Sequence, residues 1–281
     1  MLDAIEVDRT ISPNDEMFAG NVDHYFSSGR SGLACIRRAL AARGEGCGDP
    51  ATILDFPCGH GRVLRHLRAA FPGSEITACD LARDGVDFCA SRFGTVPAYS
   101  DVDPSKVSLP RDYFELIWVG SLLTHFDAPR WVHFLTFFRS LLKPGGVLAF
   151  STHGRRTHEW IVDHKNRFDL DDASCTEVCG QYESTGFGYV NYANASTYGI
   201  SLTEPAWVCR LITSTPGFRL VSFGEKSWDN HHDVFACVRD IDWKARCTPA
   251  PAFPKSSSLS EPSIPQVRPL YQRILGWRRS A

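Results

Sequence analysis

Asp55, Gly59, Gly61, Asp80 and Asp101, with four histidines further along, are the residues of this chain whose types and spacing can do chemistry. The run from Ala51 to Arg62 reads A-T-I-L-D-F-P-C-G-H-G-R: a short apolar stretch with a β-branched residue, a Gly-containing turn, then the helical spacing Val63-Leu64-x-x-Leu67. Strand, tight turn and helix in that order leave backbone N–H groups and a helix N-terminus free at the end of a central strand, where an anionic ligand group is held. Asp80 stands 25 residues beyond Asp55, at the end of Glu75-Ile76-Thr77-Ala78-Cys79. A carboxylate there can accept hydrogen bonds from both hydroxyls of a nucleoside ribose. Asp101, at the tip of the next short strand, can face the adenine edge, where an exocyclic amine donates. His125 and His153 end two later strands on the same edge, and an imidazole near neutral pKa suits removal of a proton. His231 and His232 lie beside the last strand. Each histidine taken singly also reads as a hydrogen-bonding structural residue, and their spacing along the chain calls for no metal.

The elements that must position these residues alternate. The pattern sharpens between Val22 and Ala42: after Tyr25 and Phe26, Ser31 is a candidate N-cap before Leu33, Ile36, Arg37 and Leu40, an amphipathic helix that ends in the Gly44-x-Gly46 region. After the opening strand come a helix over Arg62 to Phe71, the strand ending at Asp80, a helix from Leu81 to about Phe93, and a brief strand from Val96 to Ser100. Phe114 to Gly120 is almost continuously apolar and so belongs at the centre of a sheet. An aromatic-rich helix from Asp127 to Leu142 and the turn Lys143-Pro144-Gly145-Gly146 lead into a strand from Val147 to Thr152. Five such alternations at short spacing predict a doubly wound, Rossmann-like parallel sheet with helices on both faces.

Composition narrows the partners. The 281 residues are 43% hydrophobic and 22% charged with a net charge of −2, enough for one α/β domain with decorations and without the basic field that draws a chain onto nucleic acid. The ten cysteines fall largely in strand-like or helical runs of a chain with no signal-like N-terminus. They read as reduced core residues of a cytoplasmic protein. Cys175 and Cys179 have no second pair to complete a zinc site. No run reaches the ~20 apolar residues of a membrane span.

Three segments together, I-L-D-F-P-C-G-H-G-R with Asp80 downstream, F-E-L-I-W-V-G-S-L-L-T-H-F, and L-L-K-P-G-G-V-L-A-F-S-T, resemble the class I S-adenosylmethionine-dependent methyltransferases over roughly residues 20 to 240. The resemblance implies seven strands, the seventh running antiparallel beside an inserted last-but-one strand. It implies S-adenosyl-L-methionine as cofactor, with its methionine moiety on the Asp55, Gly59 and Gly61 loop and its ribose on Asp80. Phe56, Pro57 and Cys58 in the loop, with Leu81, Asp101, Gly120 and Ser121 at neighbouring strand ends, complete the expected cofactor contacts. Tyr25 and Arg30 on the first helix are further candidates, against the plain alternative of a packed aromatic and a solvated cation. A closer likeness is to bacterial members with S-L-L-T-H and a late W-x-x-H-Q-D-V segment. Here the latter reads Trp228-Asp229-Asn230-His231-His232-Asp233-Val234, with His232 in place of glutamine. The rival for the Gly-rich turn is a dinucleotide site, which needs a third glycine where this chain has Leu64. Asp55 would also repel a pyrophosphate, whereas it can pair with the ammonium of a methionine moiety.

Domain boundaries follow. Residues 1–20 read as a poorly specified arm, 21–246 as the methyltransferase domain with an insertion over about 153–202, and 247–281 as a Pro/Ser-rich, disordered tail. The insertion, with Gly186-Phe187-Gly188-Tyr189-Val190-Asn191-Tyr192, reads either as a substrate cap or as an excursion with its own small core. The closing segment Val267 to Arg279 is a candidate basic amphipathic helix for a partner or membrane surface. Two functions fit: O-methylation of a small molecule or saccharide, with His125 or His153 as base, or a catalytically inactive S-adenosylmethionine-binding module that holds a partner protein.

Overall fold

The apolar runs become the middle of one sheet, and each carries its polar residue out at the same edge. The computed structural model describes residues 6–44, 48–193, 195 and 197–240. In chain order, α1 (Val22–Ala42) precedes β1 (Thr52–Asp55), α2 (Leu64–Ala70), β2 (Glu75–Asp80), α3 (Arg83–Phe93), β3 (Val96–Tyr99), β4 (Phe114–Val119), α4 (Ala128–Leu141) and β5 (Leu142–His153). Then come α5 (Arg155–Val162), α6 (Asp172–Thr185), the hairpin of β6 (Phe187–Asn191) and β7 (Gly199–Thr203), α7 (Pro205–Ser214), β8 (Phe218–Trp228) and β9 (His232–Arg239).

The seven-stranded sheet runs β3-β2-β1-β4-β5-β9-β8. The first five are parallel to one another, and β9 is antiparallel to both β5 and β8. This is the expected doubly wound sheet with an antiparallel last strand. Strand order reverses between β1 and β4, so a crevice opens at their carboxyl ends. The middle of β1, Ile53-Leu54, and the run Leu116-Ile117-Trp118-Val119 of β4 are apolar because both faces are covered. Ile53, Leu116, Trp118 and Ala149 pack under α1, α2 and α3, while Leu54, Ile117, Val119 and Phe150 pack under α4 and α7. Each such side chain contributes about 1.5–3 kcal/mol by leaving water.

α1 begins at Val22, where the Asn21 side chain accepts from the His24 N–H at 3.0 Å, and not at Ser31. Ser31 lies mid-helix and takes the Asp229 N–H on its hydroxyl. The buried face of α1 starts a full turn and more earlier than the aliphatic pattern suggests, because Tyr25, Phe26, Ser28 and Gly29 occupy it. A Cβ at Gly29 would stand 2.2 Å from the Arg62 carbonyl oxygen, so only glycine lets α1 lie this close to the start of α2.

The insertion holds two helices and a hairpin around their own small core of Ile161, Phe168, Leu170, Val178, Tyr182, Ile200 and Leu202. Its α6 is hard to see in sequence because Cys175, Val178, Cys179 and Tyr182, at true helical spacing, stand in for aliphatic residues. Residues 6–20, expected as a loose arm, lie against α1 and α2: the Arg65 guanidinium donates to the Asp8 and Thr10 carbonyls, and Ser12 and Asp15 are buried. The tail from 247 onward lies outside the described residues. Among those described, no helix is long and apolar enough to cross a membrane.

Candidate functional site

β1 delivers Asp55 to the crevice, and the next six residues fold back on β2 and α3. The Cys58 N–H donates to the Cys79 carbonyl at 3.0 Å and the Gly59 N–H to Asp80 Oδ2 at 2.8 Å. Asp80 Oδ1 takes the Ala82 N–H at 3.0 Å. Gly59 and Gly61 have φ of +50° and +82°, a region that favours glycine. At Gly61 a Cβ would also stand 2.6 Å from the Phe93 ring. Above Gly59 a Cβ would meet nothing within 4 Å, so there the backbone turn alone makes the demand.

Asp55 and Asp80 are each 1% exposed. Burial pushes the Asp55 carboxyl well above the usual range, and the neighbouring Asp80 pushes it further. Asp80 is raised by burial too, against the pull of the N–H groups of Ala82 and Gly59. Asp55 Oδ2 has no hydrogen-bond partner among the described residues. A buried, unpartnered carboxylate oxygen beside a second carboxylate is costly unless a donor, best a cationic one, satisfies it. The ammonium of a methionine moiety is such a donor, so these residues fit the implied cofactor.

At the ends of β4 and β5 the side chains change to imidazoles and phenols. His125 follows β4 in a single 3₁₀ turn, Leu123–His125. Its Nδ1 lies 2.9 Å from the Gly199 carbonyl oxygen and its ring stacks on Tyr198 at 4.6 Å between centroids. Tyr192 Oη approaches the same nitrogen at 3.5 Å. Burial lowers the His125 pKa to about 4, partly opposed by the bond to Gly199. His153, at the end of β5, is held well below its ordinary value by burial and then by the charges of His231 and His125. Its ring is 6.4 Å from that of His125. The insertion therefore roofs the edge. Tyr198 lies near enough to Asp80 for that carboxylate to help raise its phenol pKa, after burial.

The fold brings Asp55, Phe56, Pro57, Cys58, Gly59, Gly61, Asp80 and Leu81 to one corner, with Leu81 45% exposed. Gly120 and Ser121 follow β4; a Cβ at Gly120 would stand 2.9 Å from the Trp118 indole nitrogen, and the Ser121 N–H donates to Ser151 Oγ at 2.8 Å. Asp101 lies past β3 and accepts the Asp103 N–H. Tyr25 is buried, donating to Asp15 Oδ2 at 2.5 Å and accepting from Arg65 at 3.1 Å. Arg30 is exposed on α1, where its charge reaches His66 on α2. Sequence reasoning passed over Tyr198, and it passed over Asp15, which sits 3.9 Å from His60 of the loop. The tyrosine-rich composition of 189–198 was the signal for the former; for Asp15 there was none, since the arm carries no pattern.

Comparison with known proteins gives a consistent result. Residues 54–148 match the family model described as "Methyltransferase domain". The malonyl-[acyl-carrier protein] O-methyltransferase of Halalkalibacterium halodurans is 27% identical over 120 residues, 41% of this chain and 44% of that protein. The protein of the same name from Anoxybacillus flavithermus is 29% identical over 114 residues, 39% of this chain and 42% of that one. The aligned part thus spans less than half the length of these relatives. In fold, the chain is similar to the PH0226 protein of Pyrococcus horikoshii, with a TM-score of 0.53 and 14% identity over 82% of this chain and 100% of that one.

Proposed function

Because this chain carries a class I S-adenosylmethionine-dependent methyltransferase domain, we propose that it methylates an oxygen of a small acceptor enclosed between the sheet edge and the insertion. The unpartnered Oδ2 of Asp55, buried beside Asp80, is the observation that carries the reading. When bound, the cofactor supplies an activated sulfonium methyl group, transferred by in-line displacement. The chain's own residues orient and enclose. Asp55 would receive the ammonium, Asp80 would accept from the ribose hydroxyls, and Asp101 would lie on the side of the base. Since Asp55 and Asp80 are each 1% exposed, entry needs the rings of Tyr192 and Tyr198, which lie against His125, to move aside.

The acceptor side supports an oxygen nucleophile. His125 keeps its Nδ1 on the Gly199 carbonyl, which leaves Nε2 to take a proton. With a pKa near 4 in the closed form, it is a weak base, suited to an acceptor oxygen already acidic or charged, such as a phenol or carboxylate. His153 is the second candidate base. The tyrosine rings at 192 and 198 offer flat faces and hydroxyls to a ring or a saccharide. The names of the two relatives point the same way, as both are O-methyltransferases.

Incubation of the purified chain with labelled S-adenosylmethionine and a panel of phenols, carboxylates and sugars tests this. Release of S-adenosylhomocysteine that requires an oxygen acceptor is the expected result. Cofactor binding with no turnover across the panel would instead support a binding module.

A further inference from the structure

The β5–β9 register sets His153 opposite His232, and the turn before β9 brings in His231 beside them. One ring nitrogen from each of the three lies within 4.8 Å of the other two. His153 and His232 are 4% and 6% exposed. His153 Nδ1 and both ring nitrogens of His232 have no partner among the described residues. Two of the rings are anchored by the backbone: His231 Nδ1 lies 2.9 Å from the Asp229 carbonyl oxygen, and the His153 ring bonds the Ser201 backbone. One nitrogen held by the backbone while the other stays available is how metal-binding imidazoles are oriented, and His232 is placed by the strand register and has both nitrogens available.

From this arrangement we infer that His153, His231 and His232 form a site for a divalent first-row transition ion, zinc foremost, with a coordination position left for an oxygen donor. Three neutral imidazoles are ligands that zinc and its neighbours accept. A purely packed cluster of rings leaves the inward lone pairs of His153 and His232 unsatisfied, at about 1–3 kcal/mol each, whereas an ion takes one from each. Ligand nitrogens on tetrahedral zinc are about 3.3 Å apart, so the trio closes up by roughly 1.5 Å, within reach of small ring rotations. Trp160 stacks on His231 at 5.2 Å and Trp228 on His232 at 4.8 Å, giving the apolar collar that keeps such ligands ordered. Arg62 opposes a cation here, and Asp229 offsets it. His153 also neighbours His125 at 6.4 Å, which puts the ion beside the acceptor. Its role in polarising an acceptor oxygen rests on the methyltransferase reading; its binding does not.

The test is titration of the chelator-treated full chain with Co2+ and then Zn2+. One equivalent of Co2+ should give visible d–d absorption that Zn2+ abolishes. His231→Gln and His232→Gln should weaken Zn2+ binding by at least about tenfold, while His158→Gln, on the exposed ion pair with Glu183, should not. In the unaltered protein, 15N spectra should show three imidazoles shifting with Zn2+, a readout that does not depend on whether a variant folds. Absence of stoichiometric Co2+ binding, no imidazole shift, or folded variants that bind like the parent overturns the site. S-adenosylmethionine affinity of the metal-free chain, measured separately, tells failure of this site from failure of the methyltransferase reading.

Discussion

The two halves of the crevice edge are built from opposite chemistry. At the ends of β1 and β2 stand two carboxylates and a turn of backbone donors, and burial raises the pKa of both acids. At the ends of β4, β5 and β9 stand imidazoles and phenols, and burial lowers the pKa of His125, His153 and His232. The first half can be written down from one stretch of chain; the second is assembled from segments that meet only when the sheet closes. Each half resists charge in its free form, so the first gains when a cationic donor arrives and the second when a hydrogen-bond donor or a metal ion meets its imidazole lone pairs.

The sharpest way to break the first half is Gly61→Val. It puts a β-branched residue at φ +82° and drives its Cβ into Phe93. Denaturant unfolding should show a loss of about 2–4 kcal/mol, and calorimetry no measurable cofactor binding. Next, Asp80→Ala should weaken cofactor affinity by about 1–3 kcal/mol through lost ribose hydrogen bonds, and unchanged calorimetric affinity would count against that role.

The pH response separates the halves by sign. A carboxyl whose folded pKa is raised stabilises the fold below its unfolded pKa, and that contribution is lost as pH climbs toward the folded value. A histidine whose folded pKa is lowered does the reverse: its contribution is full above about 6.5 and is lost as pH falls toward about 4, the value for His125. His125→Gln should therefore flatten the acid-side loss of stability between those limits by on the order of 3 kcal/mol. Asp55→Asn should leave that slope intact and flatten the one of opposite sign above pH 4. Unfolding curves across that range check both, and equal slopes in parent and variants would remove the contrast.

The smallest effect is expected at the roof. Tyr198→Ala loses the stacking on His125, worth about 0.5–1.5 kcal/mol. It should raise the acceptor KM several-fold while Tyr198→Phe keeps most of that stacking. A larger effect on cofactor affinity than on acceptor KM would place this tyrosine with the first half.

The corner where Asp55, Gly59, Gly61 and Asp80 meet was legible early because they belong to one strand–turn–helix–strand unit, where backbone geometry ties residue type to position. The same locality made α4 and the central β4 readable, since apolar periodicity reports burial directly. It failed at Ser31, because glycine and tyrosine carried the buried face of α1, and at α6, whose inward face is half cysteine. Tyr25 and Arg30 show the limit at single residues: both lie on α1, yet one is sealed against Asp15 and Arg65 and the other is exposed.

Taken by itself, the order of amino acids determined the alternating elements, the doubly wound sheet and the pair of carboxylates at its crevice, because each depends on contacts between near neighbours in the chain. Tertiary structure alone decided that Tyr198 lies over His125 and that His153 meets His231 and His232. Those meetings follow from the β5–β9 register and the fold of the insertion, which are set by packing energies summed over many distant residues, and a shift of that register by one position would have sent His232 to the face away from His153.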